Sequence, residues 1–335
     1  MNELAAAVFA AESAAHVVDV PRSRRFAEFR RTFDAEAYLR RLAANGLAWV
    51  PRGDRRYPPR LDAIHDPPLG LFVRSRQPLE PAPPAVVAIV GARACTPYGA
   101  DVARTLARDL TRAGALVVSG LARGIDGAAH RGALEAGGTL AVLGCGIDRD
   151  YPRAHATLAA AISERGWIVS EYAPGVEPAP WRFPARNRIV AGLADAVVVV
   201  EARERSGALI TADLALEEGR EVLAVPGEVH SHLSRGAHNL LRAGATLVRG
   251  AEDVLEVLGV EPVAGPTRPA LEGRLERVLA AVAVGACTAE EAASRAAVDI
   301  AAAGAALAEL EVLGTVTQTE GIYREVMCSA ALSGT

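Results

Sequence analysis

Between residues 86 and 248, short runs of aliphatic residues alternate with amphipathic helical segments, and most runs end at a glycine, a serine or a glutamate. A strand that is apolar throughout must be covered on both faces, and helices supply that cover. The pattern predicts an α/β domain with a Rossmann-like, doubly wound, mostly parallel sheet. Strands are expected at Val86–Val90, Leu116–Val118, Thr139–Leu143, Trp167–Val169, Ala196–Val200, Glu221–Val225 and Ala245–Val248. A helix is expected over Tyr98–Ala113, with Val102, Leu106 and Leu110 on one stripe, and another over Ile125–Glu135. Ligands of such sheets lie at the carboxyl ends of the strands. One edge should therefore gather Gly91–Arg93, Ser119–Gly124, Gly144–Asp148, Glu201–Gly207 and Pro226-Gly227.

The flanks are less regular. Residues 1–75 read as a helical N-terminal region plus a connector. Tyr57-Pro58-Pro59 and Asp66-Pro67-Pro68 break helices, so 51–84 is read as extended with one short strand near Leu69–Val73. The sheet domain is assigned to 84–260. Three prolines and a glycine mark 261–271 as a linker. Beyond it, 272–325 reads as three helices and a hairpin, a winged-helix-like domain. There Leu275, Val278, Leu279 and Val282 share a face, Thr288–Glu291 fits a capping box, Ile300–Leu313 fits a third helix and Thr315–Tyr323 a β-hairpin.

Composition removes several classes of chemistry. All 36 basic residues are arginine. A Walker A loop and a Schiff-base or pyridoxal site both need lysine, so neither is expected. A net charge of −4 means that any grip on an anion is local. Cys95, Cys145, Cys287 and Cys328 form no CxxC pair, which suggests neither a disulfide framework nor a zinc site. No run approaches the ~18 apolar residues of a membrane span, and no signal peptide is expected. A cytoplasmic protein with no cofactor, no metal and no membrane partner is the expectation.

The binding candidates lie at the predicted edge. Gly91 permits a tight turn at a helix start, whose amides and dipole attract phosphate, and Arg93 adds a bidentate fork. Such a turn serves a purely structural bend equally well. Gly91-Ala92-Arg93-Ala94-Cys95-Thr96 lacks the GxGxxG of a dinucleotide site. Ser119, Gly120, Arg123 and Gly124 surround the end of the second strand, followed by Asp126, read as a helix cap, and His130, read as structural. The strongest local signal is Phe183-Pro184-Ala185-Arg186-Asn187-Arg188, just after Trp181. Arginines suit a phosphate track and an exposed ring suits base stacking. Ser206 and Gly207 can cap the next helix and offer amides to an anion. Glu201 could act as a base, but no nucleophile accompanies it, and His230 with His232 lacks carboxylate co-ligands. No catalytic constellation emerges, and the chain is not expected to be an enzyme.

These motifs, in this order, resemble the DprA/Smf family of DNA-processing proteins. The matching string runs from Val90-Gly91-Ala92-Arg93 through Ser119–Asp126, Ala129-His130, Leu143–Asp148 and Tyr151-Pro152 to Phe183–Arg188. Glu201-Ala202, Ser206–Thr211, Val225-Pro226-Gly227 and Gly236–Asn239 complete it. The likeness spans about residues 57–258. It implies a bacterial protein that binds and protects single-stranded DNA taken up in natural transformation and helps load a RecA-type recombinase. It also implies a homodimer built through the Rossmann-like domain. By motif, Arg93, Ser119, Gly120, Arg186 and Arg188 would hold phosphates and Phe183 would contact a base.

Two departures matter. The N-terminal region shows no clear helix-hairpin-helix pattern, so no accessory DNA contact is expected there. The third C-terminal helix would be a recognition helix, yet it carries Asp299, Glu309 and Glu311 and no arginine. That module is expected to meet a protein or regulate the dimer rather than grip DNA. The rival readings are a nucleotide phosphoribohydrolase, whose PGGxGTxxE loop is absent at Pro226–His230, and a protein-binding scaffold with a vestigial site.

Overall fold

A computed structural model describes residues 2–13, 20–78, 85–261, 271, 273–285, 287–319 and 321–325. The chain divides into two compact units, Met1–Val263 and Ala264–Thr335.

The first unit opens with helices α1 (Asn2–Ser13), α2 (Arg24–Thr32) and α3 (Ala35–Ala44). Strand β1 (Leu47–Pro51), the short helix α4 (Pro59–Asp62) and strand β2 (Gly70–Arg74) follow. β2 is the short strand expected near Leu69–Val73, β1 is an addition to that reading, and both join the main sheet. β1 pairs antiparallel with β2, and Phe72 and Val73 of β2 sit opposite Ser170 and Val169. Pro51 closes β1 at the sheet's outer edge, where its missing N–H breaks no ladder.

The remaining elements alternate as expected. They are β3 (Val86–Val90), α5 (Pro97–Arg112), β4 (Leu116–Ser119), α6 (Ile125–Ala136), β5 (Thr139–Val142), α7 (Ala156–Arg165) and β6 (Trp167–Ser170). Then come α8 (Arg182–Leu193), β7 (Ala196–Val199), α9 (Gly207–Glu217), β8 (Glu221–Ala224), α10 (Arg235–Arg242), β9 (Thr246–Leu247) and α11 (Ala251–Val257). The nine-stranded sheet has the order β1-β2-β6-β5-β4-β3-β7-β8-β9. It is parallel except at the two N-terminal strands. From β3 the chain steps outward through β4, β5 and β6, then returns to β7 on the other side of β3. Crossovers leave the β3–β7 junction in opposite directions, which opens a crevice at their carboxyl ends.

Period-two alternation divides the core. Val86, Ala88 and Val90 point with Val118, Val197 and Val199 into a layer closed by Ile189 and Leu193 of α8 and Ala208 and Ala212 of α9. Val87 and Ile89 point with Val117, Val198 and Leu223 into the opposite layer, closed by α5, α6 and α11. A third cluster joins Leu4 of α1, Tyr38 and Leu42 of α3, Trp49 and Phe72 to Ile162 and Ile168. The N-terminal helices are therefore bound into the sheet's own core. Each fully buried aliphatic or aromatic side chain contributes about 1.5–3 kcal/mol relative to exposure.

His130 on α6 is fully buried, in keeping with a structural role. The Thr139 hydroxyl donates to the Val117 carbonyl, so it accepts from His130 Nδ1–H at 2.9 Å. Burial, with His155 nearby, pushes the His130 pKa down to about 3. In the unfolded chain the ring takes up a proton near pH 6.5. Stability from this group is thus present above pH 6.5 and is lost as pH falls toward 3, by about 1.4 kcal/mol per pH unit. In urea unfolding between pH 6 and 4.5, His130→Gln should show a shallower pH slope than the parent. Equal slopes would assign the acid sensitivity to other groups.

The second unit holds α12 (Arg274–Ala283), α13 (Ala289–Ala296), α14 (Ile300–Val312) and the hairpin β10 (Val316–Thr319)–β11 (Ile322–Glu325). Val278, Leu279 and Val282 pack on Leu307, Leu310 and Val316, with Leu275 against them. The Thr288–Glu291 capping box is formed. Most of the expected linker, 262–270, and Cys328 lie outside the described residues.

Candidate nucleic-acid interface

Two joined clefts open at the carboxyl ends of β3, β4, β5 and β7. The smaller, of about 510 Å³, is lined by Gly91, Ala92 and Arg93 after β3, by Gly120, by Phe183, Arg186 and Asn187 of α8, and by Ser206 and Gly207. The larger, of about 1020 Å³, adds Arg123 and the Asp148–Arg153 loop. Arg93, Gly120, Tyr151, Phe183 and Arg186 border both. Ten of the thirteen expected binding residues thus come to one place.

Arg186 forms the floor. Its guanidinium is 4% exposed and donates to the carbonyls of Gly120, at 2.6 Å, and Val142. A Cβ at residue 120 would lie 2.5 Å from Arg186 Nη2, so glycine is what lets the guanidinium lie flat there. Beside it Asp126 is buried, and its Oδ2 accepts the Gly120 and Ala122 amides at 3.1 and 3.2 Å. Burial raises the Asp126 pKa, opposed by Arg186 and by those amides. Asp126 therefore ties down the turn before its own helix. The Gly120 and Ala122 amides face this carboxylate and are not offered to a ligand.

An aromatic column rises from the floor. Phe183 stacks on Tyr151 with centroids 5.3 Å apart, and the Arg93 guanidinium lies 5.2 Å from the Phe183 ring. Tyr151 is 40% exposed, leaving one end of the column open. Arg93, Arg123 and Arg153 are exposed and have no carboxylate partner among the described residues. The cleft's acidic groups are engaged elsewhere: Asp150 with Arg74, Glu177 with Arg149, and Asp148 with the Gly175 amide. The cleft is left cationic.

Beyond Asn187, whose Nδ2 donates to the Gly207 carbonyl at 3.2 Å, lies the start of α9. Ser206 occupies the N-cap but its side chain does not cap the helix. Its Oγ is buried without a hydrogen-bond partner. The Leu209 amide is taken by the Ser206 carbonyl, at 3.1 Å, but the Gly207 and Ala208 amides with the unmatched hydroxyl suit an anionic oxygen.

Three expected contacts fall elsewhere. Arg188 is buried between Glu171, at 2.7 Å, and Asp66, at 3.1 Å, so its charge is neutralised within the fold. The Ser119 hydroxyl is buried and donates to the Ile89 carbonyl at 2.7 Å. Gly124 borders neither cleft and has a purely conformational part. Glu201, considered above as a base, accepts from the Thr96 amide and hydroxyl and anchors the start of α5. Tyr151 and Arg153 join the site without being singled out by sequence reasoning; their only signal is the Tyr151-Pro152 motif. Among the described residues no group of three His, Cys, Asp or Glu side chains is placed to hold a metal, and no helix is long and apolar enough to cross a membrane.

Residues 48–259 match the family model of DNA recombination-mediator protein A. The chain belongs to this family. DNA processing protein DprA of Streptococcus pneumoniae is 46% identical over 203 residues, covering 60% of this chain and 71% of that protein. Protein Smf of Escherichia coli is 43% identical over 232 residues, covering 66% and 62%. The putative DNA processing protein DprA of Mycobacterium tuberculosis is 50% identical over 193 residues, covering 57% of this chain and half of that protein. The crystallised pneumococcal DprA superposes with a TM-score of 0.64 at 38% identity, covering 76% of this chain and 93% of that one. DNA processing protein A from Helicobacter pylori, described for its unique single-stranded DNA binding mode, gives 0.57 at 31% identity, over 63% and 95%. The DprA/Smf resemblance read from the motifs and the mostly parallel Rossmann-like sheet agree with these matches.

Proposed function

We propose that this DprA/Smf protein binds single-stranded DNA along the joined clefts and protects it. It works as a DNA-processing recombination mediator without chemistry of its own. The observation that carries the reading is the column of Arg93, Phe183 and Tyr151, open at one end above the buried Arg186. A base can stack on the column while phosphates meet Arg93, Arg123 and the start of α9 around Ser206 and Gly207. Stacking on a ring tolerates any base, so binding is sequence-independent. The Helicobacter pylori relative, described as binding single-stranded DNA, supports the ligand. Within the family reading, the cytoplasmic protein hands its strand to a RecA-type recombinase during natural transformation. Two copies pair through the sheet unit, for which the open β9 edge with exposed Leu247 is suited. The second unit, with acidic α14, takes no part in gripping DNA.

Fluorescence anisotropy with a labelled oligo-dT tests this. Phe183→Ala should weaken binding by about 1–3 kcal/mol, the worth of one stacked base. Arg93→Ala should lower the slope of log affinity against log salt by about 0.7 for one lost phosphate contact. Wild-type affinity that ignores salt, or that survives both substitutions, would overturn the reading.

A further inference from the structure

Charge is segregated along the first unit. Residues 20–62 carry eleven arginines against five carboxylates, a local excess of six positive charges in a chain of net charge −4. Helix α2 concentrates it, with Arg24, Arg25, Arg30 and Arg31 against Glu28 alone. Phe26 is buried, and Phe29 and Phe33 pack with it against Phe9 of α1. At 3.6 residues per turn these three rings share one side of the helix, so Arg24 and Arg31 project from the other. Arg24 and Arg25 occupy the first turn, where the helix dipole disfavours cations. Helix stability therefore does not account for them.

The turn after β1 meets the segment that leads into α2. Arg22, ahead of α2, and Arg52, in that turn, line one cleft of about 940 Å³, together with Glu3 and with Asp62, the carboxylate that holds Arg52. Arg52 is held by Asp62 at 2.5 Å and Arg56 by Asp54 at 2.7 Å. Arg22, Arg25, Arg31 and Arg55 are exposed and have no carboxylate partner among the described residues. Among the described residues the ion pair on the outer face of α2 is Arg24–Glu28 at 3.7 Å, which is solvent-exposed and worth little.

We propose that α2 and the β1–α4 turn form a second nucleic-acid surface, which binds the phosphate backbone of duplex DNA. Four uncommitted guanidiniums on and around α2 and the β1–α4 turn suit the phosphates of a nucleic-acid backbone. The face offers no ring for stacking. Phe26, Tyr38, Trp49 and Tyr57 are buried, and none of the exposed large hydrophobics lies between residues 20 and 62. Single strands are held on stacking platforms, whereas a duplex presents only its backbone outside the grooves. A membrane surface is disfavoured because the apolar side of α2 is already spent on α1. The surface is separate from the sheet-edge clefts, and no helix-hairpin-helix pattern is needed to build it.

The test is anisotropy of the full chain with a short blunt labelled duplex and, separately, oligo-dT. The variant is Arg22→Gln/Arg25→Gln/Arg31→Gln/Arg55→Gln, with Arg93→Ala as the control for the sheet-edge site. The quadruple variant should lose roughly tenfold or more in duplex affinity, with the salt slope reduced by about 0.9 for each lost contact. Its dT binding should stay at the parent level, and its circular dichroism should show an intact fold. Arg93→Ala should do the reverse. Absence of duplex binding by the parent, or duplex affinity unchanged in the quadruple variant, overturns the proposal. Equal competition by poly-glutamate would do so too, in favour of an acidic protein partner. Loss of dT binding confined to Arg93→Ala leaves the sheet-edge reading standing in every case.

Discussion

Arg186→Ala is expected to unfold this protein far more readily, by about 3–5 kcal/mol, and to abolish oligo-dT binding as a consequence. The side chain is not an exposed hand. It lies under the cleft, its guanidinium bonded to the Gly120 and Val142 carbonyls and facing the buried Asp126. Removing it strands two carbonyl oxygens and leaves a carboxylate without its counter-charge. For a unit of this size each kcal/mol lowers the melting temperature by about 2–4 °C, so differential scanning calorimetry should register a fall of roughly 6–20 °C. Adding Asp126→Asn to Arg186→Ala should recover part of the loss, because the orphaned charge is gone while an amide oxygen can still accept the Gly120 and Ala122 amides. Unchanged melting in Arg186→Ala, or no recovery in the double variant, would show that the two groups are not energetically coupled.

The second large effect is expected at Gly124. Its backbone stands at φ +75°, ψ −127°, a region that side chains avoid. A Cβ there would also lie 2.2 Å from the Ala92 carbonyl oxygen and 2.7 Å from that of Arg93. Gly124→Ala therefore combines conformational strain of about 1–3 kcal/mol with overpacking of a further 1–3 kcal/mol. The loop that must yield is the one carrying Arg93, so dT affinity should fall along with the urea midpoint. Reduced stability with full affinity would mean that the Gly91–Arg93 loop adjusts without moving its arginine.

The parallel strands β3 to β8 are legible because strands buried on both faces are written as unbroken aliphatic runs, as in β7, where Ala196 is followed by Val197, Val198 and Val199. β1 is not, because Leu47–Pro51 ends in proline and leads into a proline-rich turn, and nothing local reveals that it pairs with β2 as the edge strand of the sheet. At the site, Arg186 and Arg188 read as one phosphate track. The segment is helical, however, and residues two apart on a helix face away from each other. Arg186 turns to the cleft and Arg188 to Glu171 and Asp66. The inward turn of the Gly120 and Ala122 amides is likewise hidden, since it depends on Asp126 reaching back over its own helix start.

The two N-terminal strands tie the segment before residue 85 to the sheet. A piece beginning at Ala85 would keep every residue proposed to hold single-stranded DNA. It would also strip β2 from β6, baring the backbone groups of Ile168 to Ser170 as an open sheet edge. It would remove Asp66 from the buried Arg188, the residue that fixes the far side of the helix bearing Phe183 and Arg186. The proline-rich stretch before residue 85 looks like a seam, yet the chain cannot be divided there without loosening the helix that carries Phe183 and Arg186.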